Sequence, residues 1–140
     1  MTVPTSPFPG RPIPPTTPET IEWWDATRSC RLLVQHCREC DLHQLYPRSL
    51  CRSCGSLELE FRDAAGTGIV YSHTTVEKSP DTTLFTPPYA VALVDLVEGP
   101  RLLTNVVGIE PTLIRCGDAV TVVWEPLPDG RQLPLFTPVS

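Results

Sequence analysis

The chain of 140 residues is almost without lysine. It contains one lysine, Lys78, and its other basic residues are arginines that are scattered along the sequence. The net charge is −5 and the isoelectric point is about 5.1. Binding to a nucleic-acid backbone needs a clustered basic face that displaces counterions. Such a face is hard to build from this composition, so we expect no nucleic-acid partner.

Long hydrophobic runs are also missing. No apolar segment approaches the roughly 20 residues that a membrane-spanning helix requires. The N-terminus has no basic region followed by an apolar stretch, so a secretory signal is not visible. We therefore predict a cytoplasmic protein that does not bind membranes.

A recognisable catalytic arrangement is absent as well. The sequence shows no paired carboxylates, no phosphate-binding glycine loop and no Ser/His/Asp set. We expect His73 at the barrel surface or at an interface, and Asp95 pointing to solvent. Cys30 and Cys116 are expected to pack as small hydrophobic residues. The prediction is that this chain is not an enzyme on its own and has no catalytic residues.

The segment CRECDLHQLYPRSLCRSC, residues 37–54, has the spacing C-x2-C-x10-C-x2-C. A Cys-x-x-Cys knuckle places two sulfurs on one metal ion, and two such pairs complete a tetrahedral site. Gly55 follows the second pair and Asp41 the first, and both tolerate the positive φ that a knuckle needs. The predicted metal ligands are Cys37, Cys40, Cys51 and Cys54.

Zinc suits this site best, although four thiolates also bind a single iron ion. A site that is closed by four cysteines has no open coordination position, so the metal should be structural. Iron would instead indicate a rubredoxin-like electron carrier, which would not need the long second half of the chain. His36 and His43 flank the pairs and are predicted to be surface residues or donors behind the metal ligands.

Ahead of this cluster, residues 1–17 are rich in proline and form a predicted arm, which is either disordered or laid along a partner. Residues 18–31 predict a helix of roughly three turns that starts after a Thr17 cap, with Pro18 in the first helical position. Trp23 and Trp24 are adjacent and cannot both face one small core, so one of them is expected on the metal module or a partner.

The remaining sequence predicts a mainly β protein: an N-terminal helix, a zinc ribbon over residues 32–62, and a five-stranded OB-fold barrel with a C-terminal tail over residues 63–140. Apolar and β-branched segments broken by Gly and Pro turns indicate short barrel strands. LELEFRDA alternates apolar and charged residues and reads as a half-buried strand. A helical turn is expected near 111–115, and LPLFTPVS reads as an edge strand or a covering tail.

Several segments occur in an order typical of one family. These are the helix with WW, LLVQHC, the two cysteine pairs, GTGIVYSHTTV, PPYAVALVDLVEGPRLLTNVVG, RCGDAVTVVWE and LPLFTP. Over about residues 18–138 the chain resembles the acyl-CoA-associated proteins with a rubredoxin-like zinc ribbon and an OB-fold, known as domain of unknown function thirty-five. The departure is Cys116-Gly117-Asp118, where relatives usually carry an aliphatic residue, then Gly and often Met.

The resemblance implies a small non-catalytic subunit of a thiolase-like acyl-CoA enzyme. One such partner is a lipid-transfer-type aldolase that cleaves a β-hydroxyacyl-CoA in sterol side-chain degradation. The alternatives are an acyl-CoA thiolase or acyltransferase, and a bridge to an enoyl-CoA hydratase. The partner would supply the nucleophile and base, and this subunit would stabilise it and help to form its acyl-CoA channel.

If the coenzyme A ester reaches this chain, its phosphates are expected to contact Arg48, Arg52 and Arg62, since guanidinium groups bind phosphate in a forked geometry. The predicted partner interface is Trp23 or Trp24, together with the loop residues Pro87, Pro88 and Tyr89, because aromatic residues and prolines make rigid anchors. Two functions of other classes stay open from the residues alone: an OB-fold that binds single-stranded nucleic acid, and an electron carrier.

Overall fold

A computed structural model describes residue 8 and residues 10–81 and 83–139. It contains one α-helix, eight strands and one 3-10 turn. In chain order these are α1 (Ile21–Thr27), β1 (Leu33–Cys37), β2 (His43–Gln44), β3 (Leu59–Asp63), β4 (Thr67–Val76), β5 (Tyr89–Leu96), β6 (Arg101–Val106), the 3-10 turn Pro111–Leu113, β7 (Ala119–Pro126) and β8 (Gln132–Pro138). The predicted class, a mainly β chain with one helix, is confirmed.

The helix is shorter than predicted. It begins after Thr20, because the hydroxyl of Thr20 bonds the backbone of Thr17 and closes a separate turn that holds Pro18. It ends at Thr27, and Cys30 three residues later has a φ of 55°, which is incompatible with a continuing helix. The prediction of three turns from Thr17 was therefore wrong.

The ribbon is a three-stranded antiparallel sheet with the order β2-β1-β3. All five residues of the central strand β1 are buried. Strand β3 starts at Leu59, and Leu57, predicted to be part of its apolar face, is 74% exposed. The half-buried alternation expected of LELEFRDA thus fails at its first position.

The other five strands form a closed barrel in the order β4-β5-β6-β8-β7. Strand β8 pairs with β7 over seven residues and in parallel with β6 at Val106 and Phe136. Pro134 has no N–H to offer β6, and its carbonyl instead accepts a 3.0 Å bond from the Thr104 hydroxyl. The C-terminal segment therefore closes the barrel, and the expectation of an edge strand or covering tail was wrong.

The described part of the proline-rich arm lies on the outside of this barrel. Phe8 is buried and Arg11 pairs with Glu125 of β7. The chain's own barrel thus holds the described part of the arm, whereas the prediction for residues 1–7 and 9 lies outside the described residues.

One hydrophobic core joins the helix, the ribbon and the barrel. Trp23 lies in it, and its indole N–H donates a 2.8 Å bond to the carbonyl of Leu33. Trp24 packs against the same core, edge to face with Trp23 at 4.8 Å between ring centres. Both tryptophans thus contact one core, contrary to expectation, although only Trp23 is buried, and a partner contact of half-buried Trp24 stays a prediction.

The described part of the chain contains no helix that is long and apolar enough to cross a membrane.

Candidate metal centre and ribbon–barrel cleft

The four predicted ligands converge at one end of the ribbon. Their sulfur atoms all lie within 4.8 Å of one another, with Cys37 and Cys54 at 3.6 Å and Cys40 and Cys51 at 3.5 Å. A tetrahedral zinc with bonds of about 2.3 Å requires sulfur atoms roughly 3.8 Å apart. The cluster therefore fits a four-thiolate zinc ion, held by these cysteines alone.

The two knuckles have the same backbone conformation. The N–H of Asp41 donates to the carbonyl of Cys37, and the N–H of Gly55 donates to that of Cys51, both at 2.9 Å. Asp41 and Gly55 have φ values of 67° and 75°. The positive φ expected at both positions is confirmed.

Backbone N–H groups of the knuckles favour the thiolate form of some of the four cysteines. The backbone N–H of Cys40 lowers the pKa of Cys37, and the backbone N–H of Cys54 lowers the pKa of Cys51 to about 6. The N–H of Leu42 acts in the same direction on Cys40, but burial and the neighbouring thiols raise the pKa of Cys40 to about 12. Four thiolates so close together need a cation to neutralise them, which is the role that zinc would have here.

His36 supports the first knuckle from behind. It is buried on β1, with Nδ1 2.9 Å from a carboxylate oxygen of Glu60 and Nε2 in contact with the Asp41 carboxylate. Its hydrogen bonds lower the pKa of both carboxylates. His43 packs beside it at 4.8 Å between ring centres. His36 is thus not a surface residue, and it holds the residue that follows Cys40.

Two buried glutamines shape the loop between the knuckles. Gln44 donates to the side-chain oxygen of Gln35 at 2.8 Å and accepts from the backbone N–H of Arg52 at 2.9 Å. Gln35 bonds both the N–H and the carbonyl of Arg48, each at 2.9 Å. The sequence interpretation missed this pair. A signal for the pair was available. Each glutamine lies in a short strand that packs beside the cysteines, and an amide that is buried there needs hydrogen-bond partners.

This loop forms one wall of a polar cleft of about 450 Å³ between the ribbon and the barrel. Arg48 and Arg52 lie on the ribbon side, and Arg101 and Asp95 on the barrel side. Arg101 is held by a bidentate pair with Asp95 and lies 3.4 Å from the ring centre of Tyr71. None of the ion pairs formed by described residues includes Arg48 or Arg52. The cleft can therefore attract an anion.

Arg62, the third arginine predicted to contact phosphate, does not line this cleft. It lies on β3 and pairs with Glu60 at 2.7 Å. Arg101 takes the corresponding place, although no sequence pattern had singled it out. The structure thus brings two of the three predicted arginines together and adds one from the barrel.

The predicted interface residues have different surroundings. Trp23 belongs to the core, whereas Trp24 is half-buried and its ring lies under the guanidinium of Arg131, 4.7 Å from its centre. Pro88 is exposed, and Pro87 and Tyr89 are half-buried at the start of β5. A docking role for Trp23 would require unfolding of the core.

Four other residues were predicted from sequence. Cys30 and Cys116 are exposed, so the expectation that they pack as small hydrophobic residues was wrong. Both lie in turns. His73 is half-buried on β4, and Asp95 lies on the outward side of β5, where its partly exposed carboxylate pairs with Arg101.

Comparisons with known proteins agree with these two units. A family model described as the rubredoxin-like zinc ribbon domain of ChsH2 matches residues 24–60, and one described as its C-terminal OB-fold domain matches residues 61–125. The chain is 39% identical over 128 residues to a probable enoyl-CoA hydratase alpha subunit of Thermomonospora curvata, covering 91% of this chain and 40% of that protein.

Two further relatives are more distant. A DUF35 domain-containing scaffold protein of Methanothermobacter thermautotrophicus is 31% identical, with 76% of this chain and 81% of the relative covered. The 3-oxo-4,17-pregnadiene-20-carboxyl-CoA hydratase alpha subunit of Mycobacterium tuberculosis is 27% identical, with 83% and 37% covered. The chain thus spans about two fifths of the length of both hydratase subunits that it matches.

Among solved structures, a chain of the Ltp2-ChsH2(DUF35) aldolase superposes with a TM-score of 0.82 at 38% identity. The match covers 90% of this chain and 98% of that one. Because the ribbon, the barrel and their order all correspond, the chain belongs to the DUF35 family of ChsH2-like zinc-ribbon and OB-fold proteins.

Proposed function

We propose that this chain is the non-catalytic accessory subunit of a thiolase-like, lipid-transfer-type aldolase. The partner would cleave a β-hydroxyacyl-CoA by a retro-aldol reaction in sterol side-chain degradation, in the cytoplasm. One observation carries the proposal: the likeness to a chain of the Ltp2-ChsH2(DUF35) aldolase extends over 98% of that chain. The name of the mycobacterial relative, which includes a pregnadiene carboxyl-CoA, supports a steroid substrate.

The metal centre supports an accessory role. With four cysteine ligands a zinc ion has no position for water or substrate, so it stabilises the ribbon and does not activate a nucleophile. In the cleft, the carboxylate of Asp95 is already engaged by Arg101. The aldolase partner would therefore supply the nucleophile and the base.

The cleft gives this subunit a way to contribute to the acyl-CoA channel. Arg48 and Arg52 have no described carboxylate partner and are therefore available to the phosphates of coenzyme A, with Arg101 opposite them. Arg62 is neutralised by Glu60 and would contribute less. Leu103 is two residues along β6 from Arg101 and Tyr46 follows Leu45 of the cleft wall; both are exposed, and the Tyr46 hydroxyl accepts a 2.7 Å bond from the Leu103 N–H. These apolar groups would guide the acyl part.

The partner is expected to dock near exposed Pro88, with Pro87 and Tyr89 beside it and Trp24 as a further contact. These residues are at the surface or half-buried, whereas Trp23 is not accessible. An interface of this kind would use rigid side chains and lose little conformational entropy on binding.

A second arrangement is a bridge to an enoyl-CoA hydratase, which is favoured by the likeness to two hydratase alpha subunits. In that case the same chain would hold an aldolase and a hydratase together and pass the thioester between them. A thiolase or acyltransferase partner would use the same surfaces.

Co-expression with candidate thiolase-like aldolases and hydratases tests these proposals. The expected result is a stable complex with an aldolase, which loses solubility or β-hydroxyacyl-CoA cleavage when this chain is omitted. This chain alone should show no cleavage. Full lyase activity of the isolated chain, or an aldolase that is equally soluble and active without it, would contradict the accessory role.

A further inference from the structure

We propose that Phe8 and residues 10–14 form a strap that is latched to the barrel by the Arg11–Glu125 ion pair and that holds down the connection between β4 and β5. The strap would be a built-in conformational device of the subunit. It is independent of the proposed function, because it concerns contacts within this chain.

The latch begins with a carboxylate in an unusual position. Glu125 lies on β7 beside core-facing Trp124, so it points to the outer side of the barrel, yet its exposure is 0%. The Nε of Arg11 donates to it at 2.6 Å, and Nη2 of Arg11 donates to the side-chain oxygen of Asn105 at 2.8 Å. A buried carboxylate is costly unless it is paired, and Arg11 of the arm supplies such a pairing.

Phe8 supplies an apolar anchor beside the latch. It is 4% exposed and forms a second small core with Val123 and Leu135 on the outer face of β7 and β8. Its ring lies 5.8 Å from that of Phe85 and 5.5 Å from that of Tyr89. These contacts join the strap to the barrel wall and to the connection that leads into β5.

Gly10 lies where the strap crosses this connection. A Cβ atom at this position would be 1.8 Å from the carbonyl oxygen of Thr83 and 2.7 Å from the Cα of Leu84. Both atoms belong to the backbone, so a side chain could be accommodated only if the two segments separated. The crossing therefore requires glycine and couples the strap directly to residues 83–85.

The other end of the strap is fastened near the helix. Arg131 donates to the carbonyl of Pro14 at 2.7 Å while it pairs with Asp129 and stacks over Trp24. With contacts at Phe8, Arg11 and Pro14, the strap is held along its length. Its release would expose an apolar outer wall and free residues 83–85.

Proteolysis gives a clean test in the full chain, because Lys78 is the only lysine and lies in the β4–β5 connection. A lysine-specific protease therefore cuts at one position, at a rate that follows local opening. For Arg11→Met and for Gly10→Ala we expect cleavage about 5-fold faster than in the wild type, with increased fluorescence of an added anilinonaphthalene sulfonate dye.

Arg38→Met is the matched control. It removes an exposed arginine that pairs with Glu58 at 2.6 Å on the ribbon, and its cleavage rate and dye fluorescence should stay at the wild-type level. Circular dichroism identifies an Arg11→Met chain that unfolds as a whole. In that case the Gly10→Ala variant provides the test, because it retains the ion pair between Arg11 and Glu125. The proposed strap would be contradicted if Gly10→Ala kept the wild-type cleavage rate and dye fluorescence. It would also be contradicted if Arg38→Met raised both quantities as much as the strap variants do.

Discussion

At the scale of single residues, the backbone around the metal centre depends on two kinds of side chain. Asp41 and Gly55 supply the left-handed conformation at the end of each knuckle. This requirement is local to four or five residues, so the sequence predicts it. Gln35 and Gln44 act over a longer range, since they bond backbone groups of Arg48 and Arg52, which are 13 and 8 positions away.

Gln44→Leu should destabilise the ribbon by about 2 kcal/mol, because it leaves the part-buried backbone N–H of Arg52 without an acceptor and removes one of the two donors to the side-chain oxygen of Gln35. The measurement is urea-induced unfolding of the zinc-loaded protein.

The matched control for this change is Gln132→Leu. Gln132 is half-buried on β8, and its side-chain oxygen has no partner among the described residues. Its replacement should change the unfolding free energy much less. Equal effects at the two positions would show that the glutamine pair has no special role.

At the scale of elements, local patterns identified which segments form strands but not where each element ends. The two-turn helix stops where Thr hydroxyls and the positive φ of Cys30 compete with helical hydrogen bonds. From sequence alone, the segment of strand β8 is interpreted as an edge strand or a tail, because its prolines weaken the strand pattern. Its place in the barrel follows from pairing with β7 and β6, which lie far away in sequence.

The ribbon is the element that we expect to depend on metal. Cys37→Ser should abolish binding of about one zinc per chain and lower the melting temperature, since the free energy of metal binding contributes to folding. Zinc content and thermal unfolding with and without a chelator measure both effects.

Cys116→Ser serves as the control for this change, because Cys116 is exposed and outside the cluster. It should bind zinc and melt like the wild type. A Cys37→Ser chain that is metal-free but as stable as the wild type would contradict a structural metal. Iron in place of zinc, with a reversible one-electron reduction, would support the alternative that the protein is an electron carrier.

At the scale of the whole molecule, the cleft exists only because the ribbon loop meets the β5–β6 turn. Arg48 and Arg52 come from one unit and Arg101 from the other. If the cleft binds coenzyme A phosphates, Arg48→Gln with Arg52→Gln should raise the KM for acyl-CoA about 10-fold or more in the complex with the aldolase, while kcat and co-purification persist.

Arg62→Gln provides the comparison, because that arginine is already paired with Glu60 outside the cleft. Its KM should change by less than about 2-fold. An unchanged KM in the double variant would exclude the cleft from thioester binding. Loss of the complex in that variant would instead assign the two arginines to the partner interface.

The sequence by itself determined the four-cysteine cluster, most of the strand-forming segments and the family, because each depends on residue types at short, fixed spacing. Tertiary structure alone decided that Arg101 and not Arg62 faces Arg48, that β8 closes the barrel, and that Phe8 and Arg11 belong to its outer wall. These contacts join residues far apart in sequence, such as Arg11 and Glu125, which are separated by 114 positions. No local spacing encodes such pairs, since they form only when the closed barrel brings the distant segments together.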